Sequence, residues 1–292
     1  MSNDCYLFSY FKGNGEDGLY LAASSDGREW TQVGGRPFLA PTIGGKLMRD
    51  PCLCLGPDGV FHLAWTTGWW DTGIGIAHSR DLIHWSEQTY LPVMAHEPEA
   101  HNAWAPEIFY DPETARYLIH WASTVCNQFT ETEDSGDMHE DLKCNHRTYY
   151  ITTEDFVSYS PVAVLYDGGF NAIDTNIAFD GTRYLLFVKD ETKRPEPAKN
   201  IRLATAASVT GPYSPASPPI SPDWVEGPTA LRVGDEWIVY YDEYAARRYG
   251  AIASKDLKTW RVISNEVKFP AGASHGTALR VDRAIVEALV NW

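Results

Sequence analysis

Short apolar and aromatic runs alternate with turns containing Gly, Pro or Asp along the whole chain. Four of these runs resemble one another: VFHLAWT (60–66), RYLIHWA (116–122), RYLLFVK (183–189) and EWIVYYD (236–242). Their aromatic and β-branched content and their length are typical of buried strands. A turn signal precedes each run, and a further strand ending near Ser or Thr follows it. The pattern therefore predicts an all-β chain made of repeated groups of strands.

A second motif closes each group of strands at intervals of about 50 residues, the spacing expected of a propeller or solenoid. Its five copies are SDGREW (25–30), SRDLIHW (79–85), TEDFVSY (153–159), SVTGPYS (208–214) and SKDLKTW (254–260). Five copies predict five structural repeats.

The fifth repeat is divided between the two ends of the chain. HGTALRV (275–281) lies near the C-terminus, whereas the strands that should follow it, YLFSYF (6–11) and GLYLAASSDG (18–27), lie near the N-terminus. A ring can share one blade between both ends and so leave no free sheet edge. We therefore predict a single domain over residues 1–292, a five-bladed β-propeller whose last blade joins N-terminal strands to the C-terminal strand. The spacing of AIVEALV (284–290) predicts a short C-terminal helix.

The charge of the chain limits its partners. With 24 basic and 39 acidic residues the formal net charge is −15, and no Lys/Arg cluster interrupts it. Such a field repels nucleic acid and anionic membranes but not a neutral carbohydrate. The sequence as it stands has neither a signal peptide nor a long apolar run, so we expect a cytoplasmic protein, or a secreted or periplasmic one if a signal has been removed. Closure through a shared blade favours a monomer.

Two further features leave alternatives open. The cysteines are expected to be reduced and buried, with a disulfide between the last two as the alternative: Cys5, Cys52, Cys54, Cys126 and Cys144. Segment 126–148 is the largest interruption of the repeat, and it is acidic and polar. It is either a functional loop or a disordered one.

Polar residues begin the first strand of each repeat, which lines the central axis of a propeller. They are Asp50, Glu107, Asp174, Glu226 and His275. We expect them to meet at one mouth of the axis, where gathered carboxylates acquire the shifted pKa values that general acid–base chemistry needs. The alternatives are structural: Asp50 capping a turn beside Arg49, and Glu107 orienting neighbours.

The order of these motifs resembles glycoside hydrolase family 43, five-bladed propellers that cleave arabinose, xylose or sometimes galactose linkages with inversion. The matching motifs are RDP (49–51), WAPE (104–107), IDTN (173–176), EGP (226–228) and SHG (274–276). The resemblance implies that Asp50 is the general base, that Asp174 modulates the acid's pKa and orients substrate, and that Glu226 is the general acid. It implies no required cofactor. Some members hold an ion near the residue matching His275, so the one metal that the resemblance implies is a structural calcium ion in the central channel.

Sugar-binding residues are expected beside these acids, because aromatic rings pack on the apolar faces of sugars. Trp70 is the preferred platform, and Trp69 lies next to it in sequence. The other expected contacts are Arg49, Trp104, Glu107, His146, Arg147 and His275. Surface solvation is the alternative for His146 and Arg147.

Overall similarity to this family favours an exo-acting enzyme that releases terminal α-L-arabinofuranose from plant polysaccharide side chains or oligosaccharides. The alternatives are a β-D-xylosidase, a galactofuranosidase or galactosidase of the same family, and a carbohydrate-binding propeller without activity. The retaining propellers of glycoside hydrolase family 32 also use an RDP triplet. They need an NDPNG-like motif and a Glu-Cys pair, and neither occurs in this sequence.

Overall fold

The computed structural model describes residues 4–135, 137–139 and 142–290, and it shows the predicted five-bladed β-propeller. Blade 5 begins with β1 (Asp4–Phe11), β2 (Tyr20–Ser24) and β3 (Thr31–Val33). Blade 1 contains β4 (Arg49–Leu55), β5 (Phe61–Thr66), β6 (Ile74–Ser79) and β7 (Thr89–Leu91). Blade 2 contains β8 (Trp104–Asp111), β9 (Arg116–Thr124), β12 (His146–Thr153) and β13 (Ala163–Tyr166).

Between β9 and β12, segment 126–148 holds a 3₁₀ helix (Thr130–Ser135) and the hairpin of β10 (Asp137–His139) and β11 (Leu142–Cys144), while its residues 136, 140 and 141 lie outside the described part. Blade 3 contains β14 (Ala172–Phe179), β15 (Tyr184–Asp190) and β16 (Asn200–Ala206). Blade 4 contains β17 (Glu226–Val233), β18 (Glu236–Glu243), β19 (Arg248–Ser254) and β20 (Arg261–Val262). Finally, β21 (Ser274–Asp282) completes blade 5, and helix α1 (Arg283–Val290) follows it.

The two chain ends close the ring as the sequence predicts. Strand β21 pairs antiparallel with β1, from Asp4 opposite Asp282 to Phe11 opposite Ser274. The innermost strands β4, β8, β14, β17 and β21 contact one another around the axis. Helix α1 packs its buried Leu289 into the apolar core shared by blades 5 and 1. Neither ring edge is therefore left open.

The closing motif recurs because its side chains bond the backbone of their own turn. In blade 1 the Ser79 hydroxyl accepts from the Leu82 amide at 2.8 Å, and Asp81 Oδ1 accepts from the His84 amide at 2.7 Å. The same pair of bonds occurs at Ser24/Asp26, Thr153/Asp155 and Ser254/Asp256. Such local bonds fix a turn without help from the rest of the fold. The copy in blade 3 has no Asp at this position, and no fourth strand is present in the described part of that blade.

Side chains of the innermost strands bond the backbone of the next blade. Cys52 Sγ accepts from the Ile108 amide at 3.3 Å, which explains why a small polarisable residue is buried there. Asn176 and Thr229 make the equivalent contacts to Ala230 and Ala278, each at 2.9 Å. All five cysteines are free thiols, and Cys54 and Cys126 are partly exposed, not fully buried. No helix in the described part of the chain is both long enough and apolar enough to span a membrane.

Candidate active site

The innermost strands start with a bulge that aims side chains into the mouth of the ring. Register shifts occur between Arg49 and Cys52 in β4, and between Ile173 and Thr175 in β14. The residues at these bulges, Asp50 and Asp174, have left-handed backbones with φ of 51° and 48°. Non-glycine residues seldom adopt this conformation, although Asp tolerates it better than most. The strain at the bulge places both carboxylates at the mouth of the ring.

Two adjoining cavities occupy this mouth. The smaller, about 240 Å³, is lined by Arg49, Asp50, Thr66, Trp69, Trp104, Ile173, Asp174, Lys189, Glu191, Glu226 and His275. The larger, about 520 Å³, is lined by residues that include Phe11, Asp242, Tyr244 and Arg247. Both share Arg49, Asp50, Glu226 and His275. Glu226 therefore stands at the junction of the two spaces.

His275 is held as a cation between two carboxylates. Its Nδ1 lies 3.3 Å from Asp50 Oδ1 and 3.9 Å from Asp174 Oδ2. Burial opposes the charged form, but the charge of Asp174 and the bond and charge of Asp50 outweigh it and raise the pKa of His275 to about 10. The imidazole is consequently protonated at neutral pH.

Asp50 and Asp174 differ in protonation although they share this neighbour. Burial acts to raise the pKa of Asp50, but the bond to His275, its charge and that of Arg49, and the hydroxyl of Thr66 at 2.9 Å together lower it. For Asp174, burial dominates over the attraction of His275 and Lys189 and raises the pKa to about 6. One ionised carboxylate thus lies beside one that holds a proton more readily, the division of labour on which acid–base catalysis depends.

Glu226 has a buried ammonium as its partner. Lys189, on β15, donates to Glu226 Oε2 at 3.0 Å and lies 2.5 Å from Glu191 Oε2. The other oxygen of Glu191 accepts from Lys199. Burial opposes the charge of Lys189, but the attraction of Glu226, Glu191 and Asp174 raises its pKa. The ammonium is therefore permanent within any ordinary pH range.

A further carboxyl group faces Glu226 from the next strand. Asp242, on β18, is the cross-strand neighbour of Glu226 and is buried. Burial and the charge of Glu226 raise the pKa of Asp242 to about 7, against the attraction of His275. Five carboxyl groups, one imidazolium and one ammonium therefore line the two adjoining cavities.

Six of the ten residues singled out in the sequence line the cavities: Arg49, Asp50, Trp104, Asp174, Glu226 and His275. The other four do not. Trp70 lies behind Trp104, with ring centroids 5.7 Å apart, and its neighbour Trp69 lines the cavity instead. Sequence adjacency did not reveal which of two consecutive rings would turn inward.

His146 and Arg147 support the wall and do not line it. His146 is buried behind Trp104 and bonds Thr124 Oγ1 through Nδ1 at 3.0 Å. Burial lowers the pKa of His146 to about 3, so it is neutral. Arg147 is fully buried and donates to Asp167 Oδ1 at 2.6 Å. Its guanidinium also lies over the ring of Phe129, which anchors segment 126–148.

Glu107 lies deeper along the axis than the other acids. The expectation that the five polar residues share one register is wrong: Asp50, Asp174 and His275 are at the bulge, Glu226 precedes it, and Glu107 follows it. Both of its carboxyl oxygens are occupied, by Asn176 Nδ2 at 2.7 Å and Thr277 Oγ1 at 2.8 Å. Glu107 therefore connects blades 2, 3 and 5 and lies outside the cavity lining.

Sequence reasoning missed the contribution of the second strands. Thr66, Lys189 and Asp242 lie opposite Arg49, Ile173 and Glu226 respectively. A signal was present: each is the last residue of one of the apolar runs, and three of the four runs end in a polar residue. A polar residue that ends an otherwise apolar strand at a ring mouth could have been assigned to the site.

The donors around His275 do not fit a calcium ion. Its Nδ1 faces Asp50, and calcium takes six to eight oxygen ligands, so a ring nitrogen does not suit it. In the described part of the chain no three His, Cys, Asp or Glu side chains form a group that could hold a metal ion.

Comparison with known proteins shows which family this chain matches. The family model described as "Probable glycosyl hydrolase domain", named as related to glycoside hydrolase family 43, matches residues 2–287. An α-L-arabinofuranosidase of Bifidobacterium longum subsp. longum is 24% identical over 215 residues, which are 64% of this chain and 20% of that protein. The chain thus spans about a fifth of that relative's length.

Solved structures share the fold. An α-L-arabinofuranosidase from Lactobacillus brevis superposes with a TM-score of 0.53 at 16% identity, covering 74% of this chain and 72% of that one. An exo-β-1,3-galactanase from Clostridium thermocellum gives 0.57 at 11% identity, covering 80% and 51%. At these identities the likeness concerns the architecture alone.

Proposed function

Because the chain belongs to glycoside hydrolase family 43, we propose that this hydrolase is exo-acting and inverting and releases terminal α-L-arabinofuranose from oligosaccharides or polysaccharide side chains. The observation that carries the proposal is that Asp50, Asp174 and Glu226 reach one cavity from three different blades. An inverting hydrolase needs two carboxyl groups on opposite faces of a sugar ring, separated by room for a water molecule. Groups on separate blades can face each other across such a ring.

In the proposed reaction Asp50 is the base and Glu226 the acid. Asp50 removes a proton from water as the water oxygen bonds to the anomeric carbon. Glu226 gives its proton to the glycosidic oxygen as the bond from that oxygen to the anomeric carbon breaks. Asp50 ends protonated and Glu226 ionised, and exchange with solvent restores both. The low pKa of Asp50, maintained against burial by His275, Arg49 and Thr66, suits a base that must be ionised.

Asp174 is proposed to orient the sugar and to adjust the protonation of its neighbours. Its Oδ2 accepts from the Gly227 amide at 3.1 Å, which fixes it beside Glu226. With its pKa raised to about 6, it changes charge within about one pH unit of neutrality. It can therefore influence Glu226 both as a hydrogen-bonding group and as a charge.

The proposed exo action and the proposed identity of the sugar are supported by different observations. The smaller cavity, about 240 Å³, is below the ~300 to 1,000 Å³ typical of drug-sized pockets, which favours a single sugar unit within it. Arabinofuranose is proposed because the similar Bifidobacterium longum protein is an α-L-arabinofuranosidase.

The test is hydrolysis of a panel of nitrophenyl glycosides and of arabinose-decorated oligosaccharides, with the first anomer released followed by proton NMR. We expect turnover of the α-L-arabinofuranoside with inverted configuration. Retention would contradict the roles of Asp50 and Glu226. Turnover of the β-D-xyloside alone, or of a galactoside alone, would make that glycoside the substrate in place of the arabinofuranoside. Sugar binding without turnover would indicate a carbohydrate-binding propeller without activity.

Glu226→Gln separates the acid from the other carboxylates. A nitrophenolate leaves without help from an acid, whereas a sugar alkoxide does not, so the variant should lose far more activity on the natural substrate. Equal losses on both would contradict the acid assignment.

A further inference from the structure

A chain of buried charges leads away from Glu226. Lys189 is 2% exposed and lies between the carboxylates of Glu226 and Glu191, and Glu191 in turn bonds Lys199. Two carboxylates and two ammonium groups therefore alternate in a series in which Glu226, Lys189 and Glu191 line the smaller cavity and Lys199 lies behind Glu191. The motifs by which the sequence resembles the family do not include Lys189, Glu191 or Lys199.

Lys189 is shared between two carboxylates. Its ammonium makes a hydrogen bond with Glu226 Oε2 at 3.0 Å. Glu191 Oε2 is buried and lies closer, at 2.5 Å. An ammonium has three N–H donors and can bond both carboxylates at once. Glu191 therefore shares with Glu226 the charge of Lys189.

The bond from Lys189 affects the proposed acid. An ammonium bonded to a carboxylate stabilises its ionised form. A general acid must carry a proton before it can give one to the leaving oxygen. As long as Lys189 holds Glu226, the two requirements conflict.

We propose that Lys189 is a positioning residue that holds Glu226 at the junction of the two cavities, and that Glu191 shares the ammonium so that Glu226 can still take up the proton for the leaving oxygen. The inference rests on the proposed function, because it concerns the same acid. Lys199 bonds the other oxygen of Glu191 and holds Glu191 beside Lys189.

Other charged groups also face Glu226 and must stay constant in a test. Asp174 lies on β14, Asp242 on β18 and His275 on β21, and Arg49 and Asp50 come from β4. Substitution of Lys189 or Glu191 leaves all five side chains present, but Lys189 also lowers the pKa of Asp174 and of Asp242. The opposite shifts expected for Lys189→Met and Glu191→Gln are therefore needed together to assign a change in pH dependence to the ammonium and its partner.

The experiment is the pH profile of kcat/KM for wild type and four variants. In Lys189→Met no ammonium stabilises the ionised form of the acid, so the basic limb of the pH profile should move up by about 1 to 3 pH units. In Glu191→Gln the ammonium has only Glu226 to pair with, so the limb should move down by about one unit. Lys189→Arg keeps the charge and should restore the limb close to its wild-type position.

Lys199→Met is the matched control, because Lys199 bonds Glu191 but lies outside the lining of both cavities. We expect its limb to move by less than half as far as that of Lys189→Met. If Lys189→Met does not fold, the downward shift in Glu191→Gln still decides.

An unmoved basic limb in Lys189→Met or in Glu191→Gln, with activity reduced, would overturn the inference and leave Lys189 a structural residue. That outcome leaves the proposed function intact, since wild type still hydrolyses its substrate. Absence of hydrolysis by wild type would instead overturn the proposed function and this inference with it.

Discussion

Asp50 and Asp174 occupy equivalent positions in the innermost strands of blades 1 and 3, each at the bulge and each with a left-handed backbone, at φ 51° and 48°. In blade 4 this position is Gly227, so the carboxylate of Glu226 precedes the bulge. The three carboxylates therefore enter the cavity from two kinds of backbone position, at the bulge and immediately before it. The base and the acid differ in how the chain presents them.

The backbone at Asp50 allows its chemical and conformational roles to be separated. Asn tolerates a left-handed backbone nearly as well as Asp and can still accept from Thr66, whereas Ala does neither. If Asp50 is the base, Asp50→Asn and Asp50→Ala should both lose activity, by about 10²-fold or more. Both variants lose the ion pair with His275, so the backbone effect is the difference between them: Asp50→Ala should lose about 1 to 3 kcal/mol more unfolding free energy than Asp50→Asn. Substantial activity in Asp50→Asn would show that its role is conformational.

A substitution at Gly227 tests whether the reaction depends on the position of the His275 imidazolium. A Cβ at this residue would lie 2.5 Å from carbon atoms of the His275 ring, at a φ of 59°. We expect Gly227→Ala to displace His275 from Asp50, lowering kcat in addition to stability. Gly234→Ala is the control, because Gly234 has a φ of 61° in the same blade but open space around its Cβ position. Similar kcat losses in both variants would mean that His275 has no part in the reaction.

The pair of neighbouring tryptophans gives a third prediction. Trp69 lines the smaller cavity and carries the guanidinium of Arg49 over its ring at 4.2 Å, whereas Trp70 packs against Trp104 and is not in the lining. Trp69→Ala should raise KM about tenfold or more, since stacking and burial on an aromatic ring contribute on the order of 1–2 kcal/mol. Trp70→Ala should lower the melting temperature with a smaller change in KM. The reverse pattern in steady-state kinetics and thermal unfolding would restore Trp70 as the platform.

The fold could be predicted because its signals are local. The closing turns bond to themselves, as Ser79 and Asp81 show, so their residues must recur wherever the turn recurs. The divided fifth repeat follows from the same regularity. Asp50, Asp174 and Glu226 were found because they open repeats, and a strand start is visible in sequence.

The rest of the site depends on which strands meet and on local twist. Lys189 and Asp242 enter the cavity from second strands, and their position becomes visible only once the register opposite Ile173 and Glu226 is known. Trp69 and Trp70 are chemically alike, so composition could not choose between them. Glu107 was misplaced by two residues along the axis because the bulge changes the register within the motif.

Glu107 gives a prediction about stability and pH. Burial, against the bonds from Asn176 and Thr277, raises its pKa to about 7. Between the unfolded value near 4.5 and this value, the folded state holds a proton that the unfolded state releases. Stability should therefore fall as pH rises through this window, by about 1.4 kcal/mol per pH unit. Glu107→Gln does not titrate, so its advantage over wild type should grow between pH 5 and pH 8, to a total on the order of 3 kcal/mol.

Urea unfolding at pH 5, 6, 7 and 8 measures this difference, with Glu87→Gln as a control at an exposed site. Glutamine can accept from Asn176 and donate to Thr277, so the contacts between blades survive the substitution. KM should remain near the wild-type value, because Glu107 lies beneath the cavity and not in its lining. A pH-independent difference would mean that Glu107 is ionised in the folded protein. A large rise in KM would instead return it to the substrate-binding residues, as its place in the WAPE motif first indicated.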